Sequence, residues 1–400
     1  MSIALTGTKP AAPSSEEFVS AYGRSHHYPE LDALRGLAAS AVVLDHFKNL
    51  WDPSALNPTA RFLLEKVFIL FFNGRCSVIL FFLLSGFVLT LPYKRGNELP
   101  YGTFALRRLA RIYVPYLAAL VLAIGADWRF HQPMQVSAWF SETWTAPLTW
   151  PLILQHILLV GNYDVAQINT AFWSLAVEIR LSLLFPLLCI PLLRWNRRFA
   201  VFLLGALVFL DIASLHFLPR HLDSLSARNA TDMTLGLVAF AAGILLARWL
   251  EPAKALWARS GHSQRVIFFL VSIGLLGWLD AISQPRLYIL ENILTIAGGC
   301  GVLIVALSSH RVSRVLNHRL PAWLGRISYS LYLVHATVLF VLVHLLLGRF
   351  TRLQILIPYL VGALGMAALF YFAVEKPSIR LSRSIGRAGR TLSNRPVNVS

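Results

Sequence analysis

The chain has 400 residues, of which 56% are apolar and 14% charged, with a formal net charge of +17. Soluble domains carry nearer ~45–50% apolar residues, so the composition excludes a soluble globule and points to a bilayer. The basic residues stand between apolar segments rather than in aromatic-interleaved blocks, which excludes a nucleic-acid surface as their purpose.

Residues 1–30, with AAPSSEE and the His26-His27 pair, have neither an apolar core nor a cleavage site and read as a flexible cytoplasmic leader, not a signal peptide. A spanning helix needs ~20 mostly apolar residues. Candidates fall at roughly 31–50, 75–92, 105–125, 172–193, 199–218, 232–250, 264–283, 290–309, 327–348 and 353–374. The first is the least apolar, because its uninterrupted core runs only from Gly36 to Leu44. The segment 151–161, PLILQHILLVG, is too short to cross and is expected to lie at the interface or to dip in.

With the N-terminus inside, 25 Lys and Arg fall in cytoplasmic segments and 10 outside, with Arg180 within a span. Cytoplasmic loops collect such residues, so the bias favours ten spans with both termini inside. An eleventh span at 151–161 would reverse every later basic loop. Cys76, Cys189 and Cys300 form no CxxC and have no partner at metal spacing, so buried thiols and no metal are expected. The predicted architecture is all-α, a polytopic membrane helical bundle of about ten spans. One membrane domain (31–376) follows the leader (1–30) and precedes a basic cytoplasmic tail (377–400).

Ionisable side chains inside a bilayer are costly and usually face a cavity or each other. In LRGLAASAVVLDHF (34–47), eleven residues at ~100° each bring His46 back to within ~20° of Arg35, about 16 Å along the axis. The plain structural alternative is a snorkelling arginine and a histidine bonded to a backbone carbonyl. Asp45 points ~100° away, so no Asp-His dyad is implied. In AFWSLAVEIRLSLLFPLL (171–188), Glu178 shares a face with Ser174 at i−4, and Arg180 points nearly opposite. A structural ion pair, for example through Asp211 or Asp45, is the alternative for both charges. In FALRRLARIYVPY (104–116), Arg108 and Arg111 at i, i+3 share a face. They read as a positive-inside flank or as a phosphate clamp.

Together these stretches resemble acyltransferase family 3, membrane enzymes, typically bacterial, that O-acylate cell-surface glycans. The resemblance runs from Tyr28 to about Arg380. It is carried in order by LDALRGLAASAVVLDHF with its R-x10-H spacing, FFLLSGFVLT (81–90), RRLARIYVPY (107–116), FWSLAVEIRLSLLFPLL (172–188), ISYSLYLVHATV (327–338) and VEKPSIRL (374–381).

The resemblance implies an acyl-CoA donor, usually acetyl-CoA, entering from the cytoplasm, and an acceptor hydroxyl on a glycan or lipid-linked glycan at the outer side. It implies His46 as general base, and Arg35, Arg108 and Arg111 as holders of the donor phosphates. Glu178 would orient the histidine or bind the acceptor. Asp45, Ser85, Trp173, Ser174, Arg180, Tyr332 and His335 would line the acceptor or stand behind the reacting groups, with Glu375 a structural cap. Relatives often continue the glutamate motif as E-E-Q-F-Y, whereas here Glu178 is followed by Ile179, Arg180, Leu181 and Ser182, so the acceptor side is expected to differ. An esterase-like periplasmic domain fused in some relatives is not expected, leaving the chain to work alone or with a separate periplasmic or glycan-assembly protein. The expected place is the bacterial cytoplasmic membrane. Rival readings keep the chemistry on a lipid or macrolide-type acceptor, or replace it with a transporter or flippase that makes no bonds. A structural scaffold is the blandest alternative.

Overall fold

The computed structural model describes residues 28–68, 72–132, 134–145, 147–159, 167–277 and 288–393. Residues 1–27 of the leader, 160–161 of the short segment, 278–283 of the seventh span and 394–400 of the tail lie outside the described residues. The long helices are α1 (Pro29–Lys48), α2 (Gly74–Lys94), α3 (Tyr101–Phe130, with a π-helical stretch at Leu109–Tyr113), the short α4 (Trp150–Leu158), α5 (Phe172–Arg194), α6 (Arg197–His221) and α7 (Ser224–Arg248). They are followed by α8 (His262–Gly277), α9 (Tyr288–Ser308), α10 (Arg319–Leu346), α11 (Arg352–Phe370) and α12 (Lys376–Ser393). No strand is assigned among the described residues.

Eight helices there are long and apolar enough to cross a membrane, making an all-α polytopic bundle. Two of the ten expected spans are not among the eight. Helix α1 carries too many charged residues, and α8 has 16 described residues. Helix α1 nevertheless forms as a full 20-residue helix. Pro29 stands in its first turn with Glu30 and Asp32, where a missing N–H costs nothing and negative charge suits the helix dipole. Its apolar residues bury Leu31, Ala33, Ala39 and Val42 to 1% exposure or less.

Helix α1 is central because it packs along α10. A Cβ on Gly36 would stand 2.4 Å from the Gly325 backbone N, and one on Gly325 would stand 2.5 Å from the Asp32 carbonyl oxygen. Only hydrogen fits at either position, and small residues are how membrane helices bring their backbones together. Tyr359 of α11 closes the other side of α1, donating its hydroxyl to the Val43 carbonyl at 3.2 Å.

Helix α4 dips into the bundle by its C-terminal end. Trp150 at its start is exposed and His156 near its end is buried. The last carbonyls of a helix have no partner of their own. Here Tyr116 donates to His156 O at 2.8 Å, Tyr113 to Ile157 O, and Arg180 to Leu159 O through both Nε and Nη2. Leu159 adopts φ +55°, a left-handed conformation uncommon outside glycine. Arg180 therefore pairs with a backbone carbonyl and not with Asp211 or Asp45: Asp211 accepts from Thr234 at 2.7 Å and Asp45 from Lys48 at 2.8 Å. The tail, where described, is helix α12. It lays Ser378 and Ser382 on α3, donating to the Ala110 and Arg107 carbonyls at 2.7 and 2.9 Å. Glu375 reaches inward, accepting from the Ser330 N–H at 3.1 Å and from its hydroxyl at 2.5 Å, so it ties α10 to the start of α12.

Two outcomes follow. Gly325→Val should cost about 1–3 kcal/mol through overpacking, seen as a lower thermal midpoint in detergent. Gly125→Val, where a Cβ meets nothing within 4 Å, should leave the midpoint unchanged. Arg180→Met should speed amide hydrogen exchange at Leu159 by ~10-fold or more, the worth of a charged hydrogen bond to a helix end.

Candidate active site

Helices α1 and α10 run in the same direction, so the register set where Gly36 meets Gly325 persists up the pair. Ten residues beyond each glycine stands a histidine, His46 and His335. Their rings meet edge to face with centroids 4.8 Å apart. The His46 Nδ1 lies 3.0 Å from the Val42 carbonyl oxygen, and the His335 Nδ1 lies 2.8 Å from that of Tyr332. A carbonyl only accepts, so in each neutral ring the proton belongs on Nδ1 and Nε2 keeps a lone pair. This tautomer is inferred from the hydrogen-bond partners. His335 is fully buried, and its Nε2 has no hydrogen-bond partner among the described residues.

Around the two rings stand Tyr332, Ser174 and Trp139. The Tyr332 hydroxyl is 2.6 Å from Ser174 Oγ and donates to the Ala171 carbonyl at 3.1 Å. Trp139 meets His46 edge-on at 5.4 Å. It belongs to the four-residue helix Ala138–Ser141, which is tied to the end of α1. Ser137 donates to the Asn49 carbonyl at 2.6 Å, and the Ala138 N–H donates to Asp52 at 2.9 Å. Trp173 is half-buried, edge-on to Phe82 at 6.5 Å.

About 16 Å down α1 from His46 is a second cluster. Arg35 holds Asp32 at 3.2 Å. Arg108 donates to Ser182 at 2.7 Å and stands 3.6 Å from Glu178, which also accepts from Ser85 at 2.9 Å. Arg35 and Arg108 lie close enough to feel each other's charge and those of Arg111 and Glu178. The Nε of Arg108 is buried and has no partner among the described residues. The cluster thus concentrates three guanidinium groups around few carboxylates and has a donor to spare. Guanidinium forks match phosphate oxygens.

The fold brings the sequence candidates into these two groups with some departures. Arg108 and Arg111 differ in exposure: Arg108 is half-buried, while Arg111 stands exposed at the edge of the cluster, near enough to act on the charges of Arg108 and Arg35. The π-helical stretch Leu109–Tyr113 begins between them, and there each residue advances less round the axis than in an α-helix. Glu178 bonds Ser85 and Arg108, whereas His46 is oriented by the backbone carbonyl of Val42. Asp45 pairs with Lys48 and lies against Gly74, away from the histidines' bonds. Sequence reading missed Trp139, which a loop carries to the site, and the shared glycine-to-histidine interval of α1 and α10. That repeated spacing was present in the sequence, but it acquires meaning only once the two helices are known to be parallel.

An acyltransferase domain family model matches residues 28–375. The chain is 26% identical over 383 residues to Nodulation protein 10 of Rhizobium leguminosarum bv. viciae, covering 90% of this chain and 96% of that protein. It is 22% identical over 344 residues to the peptidoglycan O-acetyltransferase OatA of Listeria monocytogenes, and 24% over 372 residues to the O-acetyltransferase OatA of Staphylococcus aureus. These matches cover 80% and 88% of this chain but 50% and 57% of the two OatA proteins. No solved structure matches the chain. The match over nearly the whole described bundle places the chain in the acyltransferase 3 family, as a multi-pass membrane enzyme that transfers acyl groups.

Proposed function

We propose that this enzyme is an O-acyltransferase. It takes an acyl group, acetyl in the simplest case, from acyl-CoA at the end bearing the basic loops and passes it to a hydroxyl of a surface or periplasmic glycan at the opposite end. The observation that carries this reading is that one helix holds both Arg35 of the arginine cluster and, about 16 Å along, a histidine whose Nδ1–H is committed to a carbonyl so that Nε2 is left as a base. The names of the OatA relatives support the O-acetyl direction. A bacterial cytoplasmic membrane is the setting in keeping with the source organisms of these relatives.

In the reaction, Arg35, Arg108 and Arg111 hold the nucleotide phosphates, and the pantetheine arm runs along α1 toward His46. The acceptor O–H gives its proton to His46 Nε2 while its oxygen attacks the thioester carbonyl. The C–O bond forms, the C–S bond breaks, and the imidazolium returns the proton to the departing CoA sulfur. The Val42 carbonyl keeps the reacting nitrogen in the correct tautomer through this cycle. His335, with a buried Nε2 lone pair beside His46, offers an acceptor for the N–H formed when His46 is charged.

His46→Ala should lower acetyl-CoA turnover in nanodiscs by ~10²-fold or more, with equilibrium acetyl-CoA binding retained. Turnover at the wild-type rate would remove His46 as base, and a protein that only translocates would keep moving its cargo. Arg35→Ala and Arg108→Ala should each raise KM for acetyl-CoA by ~10-fold, the worth of a charge-assisted contact. Unchanged KM in both would dismiss the phosphate clamp.

A further inference from the structure

The ring of Trp139 has two unlike neighbours. It meets His46 edge-on with centroids 5.4 Å apart, and Phe340 of α10 packs against it at 5.8 Å. It also lines a cavity of about 480 Å³ whose other walls include Asn49, Asp52, Glu65 and Lys66. Lys48, two residues beyond His46, borders this cavity, whereas His46 itself does not. The indole is therefore a partition, in contact with the histidine and with the cavity.

We infer that Trp139 decides between acyl transfer and hydrolysis: its ring keeps the water of the cavity off His46, so that the acyl group goes to an acceptor hydroxyl and not to water. This rests on the acyl-transfer reading above. A base able to take a proton from an acceptor hydroxyl can take one from water, which is smaller and far more abundant. Water reaching His46 would give its proton to Nε2 while its oxygen attacked the thioester carbonyl. The C–O bond would form, the C–S bond would break, and the proton would pass to the CoA sulfur, leaving free acid and thiol. Closed sites suppress such side reactions by excluding water. The cavity beyond the ring is polar and roomy enough to hold water, so the exclusion has to be made at the ring itself.

The ring's position is enforced from three sides. After α1, the Asn49 carbonyl accepts from Ser137 at 2.6 Å and Asp52 from the Ala138 N–H at 2.9 Å. From α11, Arg352 donates to the Val136 carbonyl at 2.7 Å, and from α10 the His344 Nε2 lies 3.0 Å from the Gln132 carbonyl oxygen. Phe140 and Phe340, which pack on the indole, are 1% exposed or less, so the space behind it is filled. A tryptophan that only completed the core would not have a polar cavity on its other face.

The test gives the purified full chain in nanodiscs acetyl-CoA and no acceptor, and measures acetate and free thiol, acetyl-CoA binding and thermal midpoint. The variants are Trp139→Ala, Trp139→Phe and Ser137→Ala, with Trp139→Ala and Ser137→Ala each also combined with His46→Ala. In parallel, base-labile acyl ester is quantified in native-host cells carrying wild type, His46→Ala or each variant. Trp139→Ala should release acetate faster than wild type by ~10-fold or more, a part of the ~10²–10⁴ that a positioned base supplies, while cellular ester falls. Trp139→Phe should bring both back toward wild type, and adding His46→Ala should return acetate to background. If Trp139→Ala lowers the midpoint or loses acetyl-CoA binding, Ser137→Ala, which loosens the turn and leaves the ring, carries the test with the same expectations. No gain in acetate from the variant that carries the test would overturn the shield, as would a gain that survives the loss of His46. His46-dependent ester in wild-type cells beside either result would leave acyl transfer standing. Absence of His46-dependent ester in cells and of His46-dependent acetate from every variant would overturn the acyl-transfer reading and the shield with it.

Discussion

The close approach of α1 and α10 at Gly36 and Gly325 sets the geometry on which the rest of the site depends. Two helices in contact at their backbones have little freedom to slide, because a Cβ on either glycine would sit within 2.5 Å of the other helix. Parallel direction then carries a fixed register upward, so that His46 and His335 arrive side by side ten residues later. Membrane helices gain little from hydrophobic burial against one another, since lipid tails are equally apolar. The contact must therefore come from shape and from hydrogen bonds: the glycines supply the shape, and the segment leading into α10 supplies hydrogen bonds, with Glu30 of α1 accepting from Ser313 at 2.6 Å and Asn317 at 3.1 Å.

The buried charges follow a second constraint. A guanidinium or carboxylate in a bilayer costs several kcal/mol unless it is paired or faces a cavity. Arg180 caps the left-handed end of α4 through Nε and Nη2, and Glu375 holds Ser330. Both are structural uses of ionisable groups. Arg108 has a carboxylate and a hydroxyl to bond, yet its buried Nε has no partner among the described residues.

Much of the bundle was legible in the sequence because apolar composition is a length-scale signal, and a run of ~20 such residues has few alternatives to a spanning helix. Helix α1 was the exception. Its Arg35, Asp45 and His46 depress its hydropathy and leave an uninterrupted apolar run only from Gly36 to Leu44. The exposure difference between Arg108 and Arg111 lies beyond helical periodicity, because the π-helical stretch Leu109–Tyr113 leaves no mark in composition. Arg180 read as half of an ion pair because sequence shows charges but not bare carbonyls, and Leu159 exposes one only after α4 ends in a left-handed turn. Trp139 had no periodic signal, being placed by Ser137 and Asp52 through loop contacts.

These placements make the two ends proposed for donor and acceptor physically unlike. The end that holds the arginine cluster is built on long helices, with Arg35 held by Asp32 and Arg108 by Glu178 and Ser182, an arrangement in keeping with the phosphates of the proposed donor. The opposite end is built from the segments after α1 and α3, whose short helices are tied down by single side-chain bonds such as those of Ser137 and Asn57. Segments held by a few local bonds can change residue by residue without disturbing the helix pair beneath them. The histidines sit at the boundary between the two constructions, oriented by backbone carbonyls that no side-chain substitution at either end removes. On the proposed reading, a fold arranged in this way keeps one chemistry at the histidines while the segments above them are free to be refitted.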